Sequence, residues 1–254
     1  MEIKNNTAII TGGASGLGEA TARLLNKLGA KVAILDRDIA RGLKVADEIS
    51  GLAINCDITN EDSVITAFDE INKILGPARI IVNCAGIIKS RRMINKEGLM
   101  PLNDFKQVID VNLTGTFNVM QKGANSIMSL DTQNNSTERG IIINTASVAA
   151  YEGQIGQTAY SASKGGIIAL TLPAARELAS FGIRVMAIAP GLVNTPMFAK
   201  LSNEAKEQLV KGVPYPKRLA NPNEFAKLVV HIIENEMLNG EVIRLDGALR
   251  MQAK

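Results

Sequence analysis

The sequence predicts a single doubly wound α/β domain, with helices on both faces of a parallel sheet of about seven strands. Short apolar runs alternate along the chain with longer segments of helical periodicity. Parallel strands need a crossover helix between them, so this alternation favours a parallel sheet. The apolar runs are also continuous, as in Ile141-Ile142-Ile143. Continuous runs are typical of strands that helices cover on both sides.

Each predicted element has its own stretch of sequence. The predicted strands are residues 7–11, 32–35, 52–56, 80–83, 140–144, 183–188 and 241–245. The predicted helices, in which apolar side chains recur at helical spacing, are residues 17–28, 39–49, 63–75, 104–130, 160–180 and 221–234. Residues 131–138 form a polar loop, and residues 190–216 are the longest irregular segment, a length typical of functional loops. No linker or repeat interrupts this order, so residues 1–254 are predicted to form one domain.

Composition and charge narrow the class of protein. The 254 residues are 46% hydrophobic and 21% charged, which suits a buried core and excludes a disordered chain. The net charge is only +3, and residues 89–96 carry much of the excess, so no nucleic-acid partner is expected. No apolar stretch approaches the ~20 residues of a membrane span, and the first residues do not resemble a signal peptide. We therefore expect a soluble cytoplasmic protein with no membrane partner.

Few side chains are available for a metal site. The two cysteines, Cys56 and Cys84, lie at the ends of apolar runs and are predicted to be reduced core thiols. His231 is the only histidine and falls in a predicted helix, where we expect a structural or surface role. Because the sequence has no Cys/His cluster with ligand spacing, no metal site is predicted.

A glycine-rich turn connects the first predicted strand to the first predicted helix. Such a turn lets the backbone approach a pyrophosphate and directs helix N–H groups at it. A tight strand-to-helix turn also favours glycine, so a purely structural role is the alternative. The candidate cofactor-binding residues of this turn are Gly12, Ser15, Gly16, Leu17 and Gly18.

Two acidic residues end the next two strands. Asp36 ends the second strand, where a carboxylate can accept the hydroxyls of an adenosine ribose and repel a 2′-phosphate. Asp36 therefore predicts NAD rather than NADP, although the guanidinium of Arg37 could pair with that phosphate. Asp57 ends the third strand and is predicted either to contact the adenine or to cap the following turn.

Small residues follow the fourth predicted strand. Asn83, Ala85 and Gly86 lie where the chain leaves the sheet. In open α/β sheets, ligands bind beyond the carboxyl ends of the strands. These three residues are therefore predicted to border the cofactor and leave room for its ribose.

A tyrosine and a lysine four residues apart open the predicted helix 160–180. Tyr160 and Lys164 would lie on one helix face. The usual pKa of tyrosine is near 10, and the Lys164 ammonium together with a positive nicotinamide would favour the phenolate of Tyr160. A phenolate could take the proton of a substrate hydroxyl as a general base. The same spacing occurs in amphipathic helices with an exposed lysine, so the pair alone does not identify a catalytic site.

Three further polar residues are candidates for the same site. Ser147 follows the fifth predicted strand and could hydrogen-bond the substrate oxygen. Asn112 lies in an apolar stretch, where an amide is costly to bury without partners. It could hold a water next to Lys164, or it could be an ordinary core or surface amide. Gln157 lies three residues before Tyr160 and is a candidate substrate contact.

Together these motifs resemble those of the short-chain dehydrogenase/reductase family along the whole chain. The residues that carry the resemblance are 11–18, 83–86, Asn112, Ser147, Tyr160, Lys164 and Pro190-Gly191. The resemblance implies a Rossmann domain in a homotetramer that moves a hydride between NAD and a secondary alcohol or ketone. It implies that Tyr160 is the general base and that Lys164 binds the nicotinamide ribose. It also implies that Pro190 contacts the cofactor and that Thr195 bonds the nicotinamide carboxamide.

Longer stretches are similar to a subgroup of this family that acts on 3-hydroxyacyl-CoA thioesters. These stretches are residues 12–18, 89–103, 111–119, 141–150, 160–166 and 238–247. The similarity implies conversion of (S)-3-hydroxyacyl-CoA to 3-oxoacyl-CoA, a step of fatty acid metabolism. An NADPH-dependent 3-oxoacyl-carrier-protein reductase, a hydroxysteroid dehydrogenase and a nucleotide-binding scaffold without activity are the alternatives.

Four basic residues cluster just after the fourth strand. Lys89, Arg91, Arg92 and Lys96 lie within eight residues, on the side of the sheet where the cofactor is expected. Clustered lysine and arginine attract phosphates. We hypothesise that Arg91 and Arg92 bind the phosphates of coenzyme A, and a solvated polar loop is the alternative.

Overall fold

The computed structural model describes residues 1–133, 136–196 and 203–253. Its strands are β1 (Thr7–Thr11), β2 (Lys31–Asp36), β3 (Leu52–Asn55), β4 (Ala78–Asn83), β5 (Ile94–Asn95), β6 (Gly98–Leu99), β7 (Gly140–Thr145), β8 (Ile183–Pro190) and β9 (Val242–Leu245). Its α-helices are α1 (Gly16–Lys27), α2 (Ile39–Ile49), α3 (Glu61–Ile74), α4 (Leu102–Ile109), α5 (Thr116–Met128), α6 (Thr158–Ala179), α7 (Asn203–Lys211) and α8 (Pro222–Glu234). None of these helices is long and apolar enough to cross a membrane.

Seven of the strands form one parallel sheet in the order β3-β2-β1-β4-β7-β8-β9. From β1 the chain builds outward through β2 to β3, and β4 then pairs with the other side of β1. At such a reversal the connecting loops leave in opposite directions and open a crevice at the carboxyl edge. The predicted doubly wound α/β class with seven parallel strands is confirmed.

Successive side chains of a strand enter different cores on the two faces of the sheet. Ile10 packs with Leu25 of α1 and Phe225 of α8, whereas its neighbour Ile9 packs with Phe68 of α3. Both isoleucines are fully buried. Because helices cover both faces, every position of β1 is buried, and the strand reads as a continuous run in the sequence.

The predicted helix 104–130 is not one regular α-helix. It begins at Leu102 and contains a π-helical stretch, Asp110–Gly115, between α4 and α5. A π-helical stretch widens the helix by one residue and is found frequently at functional sites. Apolar periodicity does not reveal this change of hydrogen bonding, so the sequence pattern predicted only that the segment is helical.

Two other expectations are wrong in detail. The segment 190–216 was expected to be irregular, but α7 occupies residues 203–211, while residues 197–202 lie outside the described part of the chain. The basic stretch was expected to be a loop, but β5 and β6 pair there as a small antiparallel hairpin. Neither two-residue strand is long enough to produce a clear alternation in the sequence.

A buried ion pair ties α8 to the sheet. Arg184 of β8 donates from its Nε to Glu138 Oε1 at 2.7 Å, and both side chains are more than nine-tenths buried. Its other nitrogens donate to carbonyl oxygens at the carboxyl end of α8 and just beyond, on Ile232, Ile233, Asn235 and Leu238. Such carbonyls have no partner within their own helix. One guanidinium therefore binds one oxygen of a buried carboxylate and the carbonyls at the end of a helix, while the other oxygen, Glu138 Oε2, lies 3.1 Å from the N-terminal ammonium of Met1.

Arg184→Met should lower the free energy of unfolding by about 3 kcal/mol or more, because it leaves Glu138 buried without its main partner. Urea denaturation of both proteins measures this loss. The matched control is Arg37→Met, which breaks the single, exposed contact of Arg37 with Asp57. An exposed pair is worth roughly 0–1 kcal/mol, so the control should remain close to the parent. Equal losses in the two variants would contradict the assigned importance of the buried pair.

Candidate active site

A cleft of ≈ 480 Å³ opens at the carboxyl edge of the sheet. Its volume lies within the usual range for small-molecule sites. The predicted site residues that line it are Gly12, Ser15, Gly16, Leu17, Gly18, Asp36, Asp57, Ala85, Gly86, Ser147, Gln157, Tyr160, Lys164, Pro190 and Thr195. Asn83, Arg91, Arg92 and Asn112 do not line it. Residues from five of the six motifs that carry the family resemblance therefore meet in one cleft.

The glycine-rich turn is shaped by backbone contacts that exclude side chains. Gly12 has a φ of 66°, and a Cβ atom there would lie 2.8 Å from the Cα of Ala85. Ser15 has an extended backbone and precedes the first turn of α1. The N–H groups at the start of α1 are therefore directed at the cleft, which makes the turn a suitable cradle for an anion.

Asp36 lies beside this turn at the end of β2. Its Oδ2 accepts a hydrogen bond from the backbone N–H of Ala14 at 3.0 Å, and its Oδ1 accepts from Asp38 at 3.0 Å. An ionised carboxylate has about four acceptor positions, so it can still accept further hydrogen bonds. Arg37 is exposed and directed at Asp57, with Nε and Oδ2 4.0 Å apart.

Asp57 forms the local cap that was one of its two predicted roles. Its Oδ1 accepts from the backbone N–H and the hydroxyl of Thr59, at 3.0 and 2.7 Å. Burial raises the pKa of Asp57, but the hydrogen bonds from Thr59 and the charge of Arg37 outweigh burial and lower the pKa overall. The carboxylate also borders the cleft, so contact with a ligand stays a prediction.

Asn83 lies behind the cleft wall. It is buried, and its Nδ2 donates to Asn144 Oδ1 on the neighbouring strand at 2.9 Å. The hydroxyl of Thr11 contacts Asn83 Oδ1 at 3.5 Å and accepts from the backbone N–H of Ala85 at 3.1 Å. These bonds fix the path of the chain as it leaves β4, so Asn83 shapes the cleft from behind.

Ser147, Tyr160 and Lys164 converge at the other end of the cleft. Tyr160 and Lys164 lie one turn apart near the start of α6, with Lys164 Nζ 5.9 Å from the centre of the Tyr160 ring. A side-chain hydrogen bond joins Ser147 to Tyr160. The Ser147 hydroxyl also accepts from the backbone N–H of Ala149 at 3.1 Å, which fixes its orientation.

Lys164 is not among the groups that lower the pKa of Tyr160 in this structure, and the expectation that Lys164 and a positive nicotinamide together favour the phenolate stays a prediction. Burial raises the pKa of Tyr160 above its ordinary value, and the hydrogen bond from Ser147 opposes this rise only in part. Lys164 donates instead to the backbone carbonyl of Thr145 at 2.7 Å. Burial lowers the pKa of Lys164 to about 8, while Cys84 slightly opposes the change. Burial therefore favours the neutral forms of both groups.

Asn112 lies in the π-helical stretch and is fully buried. Its Oδ1 accepts from the backbone N–H of Ile87 at 2.8 Å, and its Nδ2 donates to the Ile87 carbonyl at 2.9 Å and to Ser163 Oγ at 3.0 Å. Ser163 in turn donates to the carbonyl of Tyr160 at 2.7 Å. Asn112 thus clamps the chain after β4 to α6. The predicted water between Asn112 and Lys164 stays a prediction.

The basic cluster lies outside the cleft, and part of its charge is already paired. Asp104 of α4 binds Lys89 Nζ at 2.9 Å and Arg91 Nη1 at 3.3 Å. The backbone N–H of Arg91 also donates to the carbonyl of Gly156 at 2.8 Å. The chain at Arg91, just before the β5–β6 hairpin, is therefore attached to the loop that carries Gln157. Nothing in the local spacing of the sequence had indicated that Asp104 pairs with this cluster.

Met251 and Leu192 also line the cleft, and the sequence pattern had not indicated either of them. Both are apolar residues outside any recognisable motif. Met251 lies far along the chain from every catalytic candidate, so only the folded structure could bring it to this wall. Among the described residues, no group of three His, Cys, Asp or Glu side chains could hold a metal ion.

A family model described as short chain dehydrogenase matches residues 6–206. The chain belongs to the short-chain dehydrogenase family. Members of this family are oxidoreductases that use NAD or NADP, and this chain is therefore an oxidoreductase enzyme. The resemblance drawn from the Gly12–Gly18 turn and the Tyr160/Lys164 pair is confirmed.

The relatives of this short-chain dehydrogenase cover nearly all of it. The 3-hydroxyacyl-CoA dehydrogenase type-2 of Homo sapiens is 50% identical over 257 residues, with 98% of this chain and 97% of that protein covered. The protein of the same name from Drosophila melanogaster is 47% identical, covering 98% and 99%. The crystal structure of a 3-hydroxyacyl-CoA dehydrogenase type-2 from Mycobacterium avium is 42% identical, with a TM-score of 0.94 over 98% of each chain. The predicted similarity to this subgroup is confirmed.

The buried Lys164 should make stability rise with pH. Its pKa is about 8 in the folded chain and has its ordinary value of 10.5 in the unfolded chain, so the unfolded chain binds more protons between these pH values. The stability contribution is complete above 10.5 and is lost as the pH falls through 8. The full change corresponds to about 3 kcal/mol at most.

Denaturation of the parent and of Lys164→Met at a series of pH values measures this contribution. Other alkaline groups are shared by the two proteins and cancel in the difference. The free energy of unfolding of the parent should increase relative to that of Lys164→Met as the pH rises from 8 to 10.5. A difference that does not change with pH would contradict the burial of a charged Lys164.

Proposed function

We propose that this short-chain dehydrogenase interconverts (S)-3-hydroxyacyl-CoA and 3-oxoacyl-CoA with NAD as its cofactor. One observation carries the proposal: Ser147, Tyr160 and Lys164 meet in the same cleft as the Gly12–Gly18 turn. The substrate class is supported by relatives of 46–50% identity whose names specify 3-hydroxyacyl-CoA.

The residues of the cleft fit a dinucleotide. The first N–H groups of α1 border the cleft and have no acceptor in the preceding turn of the helix, so they could donate to a pyrophosphate. Asp36 has acceptor capacity left for ribose hydroxyls and would repel a 2′-phosphate, which supports NAD over NADP. Pro190 and Thr195 also line the cleft, with Thr195 beside Gly16 of the turn, and we expect the nicotinamide to contact them. When bound, the nicotinamide would accept or return a hydride.

Tyr160 would take the hydroxyl proton of the substrate. In the structure its phenol is neutral at pH 7, because burial raises its pKa. A positive nicotinamide next to Tyr160 would favour the phenolate, so we propose that the cofactor binds before the substrate. Ser147 would hold the substrate oxygen through the hydroxyl that already contacts Tyr160. Lys164 would bind the nicotinamide ribose, and Gln157 would contact the substrate.

The coenzyme A phosphates would contact the basic cluster, residues 89–96, which leads into the β5–β6 hairpin. Asp104 neutralises much of the charge of Lys89 and Arg91, whereas Arg92 and Lys96 form no ion pair within the described part of the chain. We therefore place the phosphate contact on Arg92 and Lys96 more than on Arg91. The backbone of Arg91, just before the hairpin, is hydrogen-bonded to Gly156, close to the proposed reaction centre. One ligand could therefore contact both the basic cluster and the reaction centre.

We further propose that the chain is a single domain and assembles as a homotetramer. Large apolar side chains of α5 and α6, including Phe117 and Leu172, are at least two-fifths exposed in the single chain. Burial of such side chains between subunits would be favourable. The subunit count rests on the family resemblance.

An assay of acetoacetyl-CoA reduction tests the function and the cofactor together. Purified protein should oxidise NADH rapidly and NADPH slowly, because Asp36 repels the extra phosphate. Activity mainly with NADPH would favour a 3-oxoacyl-carrier-protein reductase. Activity on steroids but not on acetoacetyl-CoA would favour a hydroxysteroid dehydrogenase, and no activity on any alcohol or ketone would favour a scaffold.

Tyr160→Phe should lose nearly all turnover and keep its NADH affinity, and a retained rate would reject Tyr160 as the base.

Arg92→Glu should raise the KM for acetoacetyl-CoA about tenfold and leave reduction of ethyl acetoacetate, which lacks coenzyme A, unchanged. The control is Lys27→Glu. This exposed lysine ends α1, 11 residues after Gly16 and about 16 Å along the helix from the cleft. The variant should leave the KM for both substrates unchanged. If Arg92→Glu impairs both substrates equally, the phosphate contact is wrong.

A further inference from the structure

The residues 249–253 run along the loop 151–157 that leads to Tyr160. The backbone N–H of Ile155 donates to the carbonyl of Ala253 at 3.0 Å, and Gln154 Nε2 donates to the carbonyl of Gln252 at 3.2 Å. Met251 precedes these contacts and lines the cleft together with Gln157 and Tyr160. A segment with no motif of its own therefore forms part of the cleft wall.

Met251 is at the reaction end of the cleft. It packs against an apolar cluster that contains Leu192 and the buried Leu249. Leu192 follows Pro190 and lines the same cleft, whereas Asp36 marks the opposite end, where the adenosine would bind. A methionine side chain is flexible and apolar, so it suits a wall that contacts an alkyl chain.

The carboxylate of Glu152 holds this segment in place. Arg244 donates to both of its oxygens, at 2.8 and 2.9 Å, and donates as well to the carbonyl of Leu249 at 2.9 Å. Two-pronged arginine–carboxylate pairs of this kind are strong and fix geometry. The backbone carbonyl of Leu249, two residues before Met251, is thus anchored to one Arg–Glu pair.

Other charges strengthen the same anchor. Arg244 Nε binds Asp246 Oδ2 at 2.7 Å, and the guanidinium lies 5.0 Å from the centre of the Tyr151 ring. Arg250 adds a longer contact with Glu152, at 3.5 Å. The loop next to Tyr160 and the chain after β9 are therefore held as one unit.

We propose that Met251 determines the acyl-chain length that the enzyme accepts, and that Glu152 is the positioning residue that keeps Met251 in the wall. The inference rests on the proposed function, because it takes a chain-bearing 3-oxoacyl thioester as the substrate. Shortening the Met251 side chain would open space for a longer alkyl chain, and a rigid ring at this position would close it.

The test compares kcat/KM for an eight-carbon and a four-carbon 3-oxoacyl-CoA. Met251→Ala should raise the ratio of the long to the short substrate about tenfold, and Met251→Phe should lower it by a similar factor. The matched control is Met237→Ala, because Met237 is 92% exposed. If the Met251 variants keep the parent ratio, or move it no further than Met237→Ala does, the inference is overturned.

Substitution of Glu152 separates positioning from general stability. Glu152→Ala should raise the ratio in the same direction as Met251→Ala, with the kcat for the short substrate and the affinity for NADH largely kept. Glu152→Gln retains an oxygen that can accept from Arg244 and should restore part of the parent ratio. A uniform fall in kcat for both substrates, with no change in their ratio, would reject the positioning role.

Failure of the proposed function would look different. In that case the parent would reduce neither 3-oxoacyl-CoA. The same variants would then be compared on 3-oxo esters with short and long alkyl chains, which carry no coenzyme A. Opposite shifts of the long-to-short ratio in Met251→Ala and Met251→Phe would support Met251 as the residue that limits chain length. Unchanged ratios would overturn that role.

Discussion

The site depends on the close approach of two backbone segments, the turn after β1 and the bend after β4. They meet because β4 pairs with the free side of β1, where the strand order reverses. The contact between Gly12 and Ala85 is so short that no side chain fits at position 12. Thr11 and Asn83 then hold the two strand ends together by side-chain hydrogen bonds. The anion cradle and the floor of the cleft are therefore consequences of one strand pairing.

A second clamp brings the reacting side chains to this crevice. Asn112 bonds both backbone groups of Ile87 and, through Ser163, reaches the carbonyl of Tyr160. Lys164 bonds the carbonyl of Thr145 at the end of β7. The helix α6 is thus fixed to the chain after β4 and to the end of β7. The π-helical stretch is where Asn112 lies, so a local irregularity of the helix accompanies the clamp.

The sequence was a good guide to the elements and to the residues with distinctive chemistry. The seven strands, the glycine-rich turn and the Tyr160/Lys164 pair were predictable because each has a local signature. The π-helical stretch, the β5–β6 hairpin and α7 were not, because short or irregular elements leave little periodicity. Asp104, Glu152 and Met251 could not be found either. Their roles depend on contacts between segments that are distant in sequence, and only the folded chain brings them together.

The pKa of Tyr160 shows why a motif does not specify its own electrostatics. The spacing of Tyr160 and Lys164 suggested a charged neighbour that lowers the pKa of the phenol. The fold instead buries both groups, and burial penalises the charged form of each. Ser147 alone opposes the penalty on Tyr160 in the chain as it stands. If Tyr160 is the general base, as we propose, a positive nicotinamide beside it would act together with the Lys164 ammonium to favour the phenolate, so we expect proton transfer to be most favourable once the cofactor is in place.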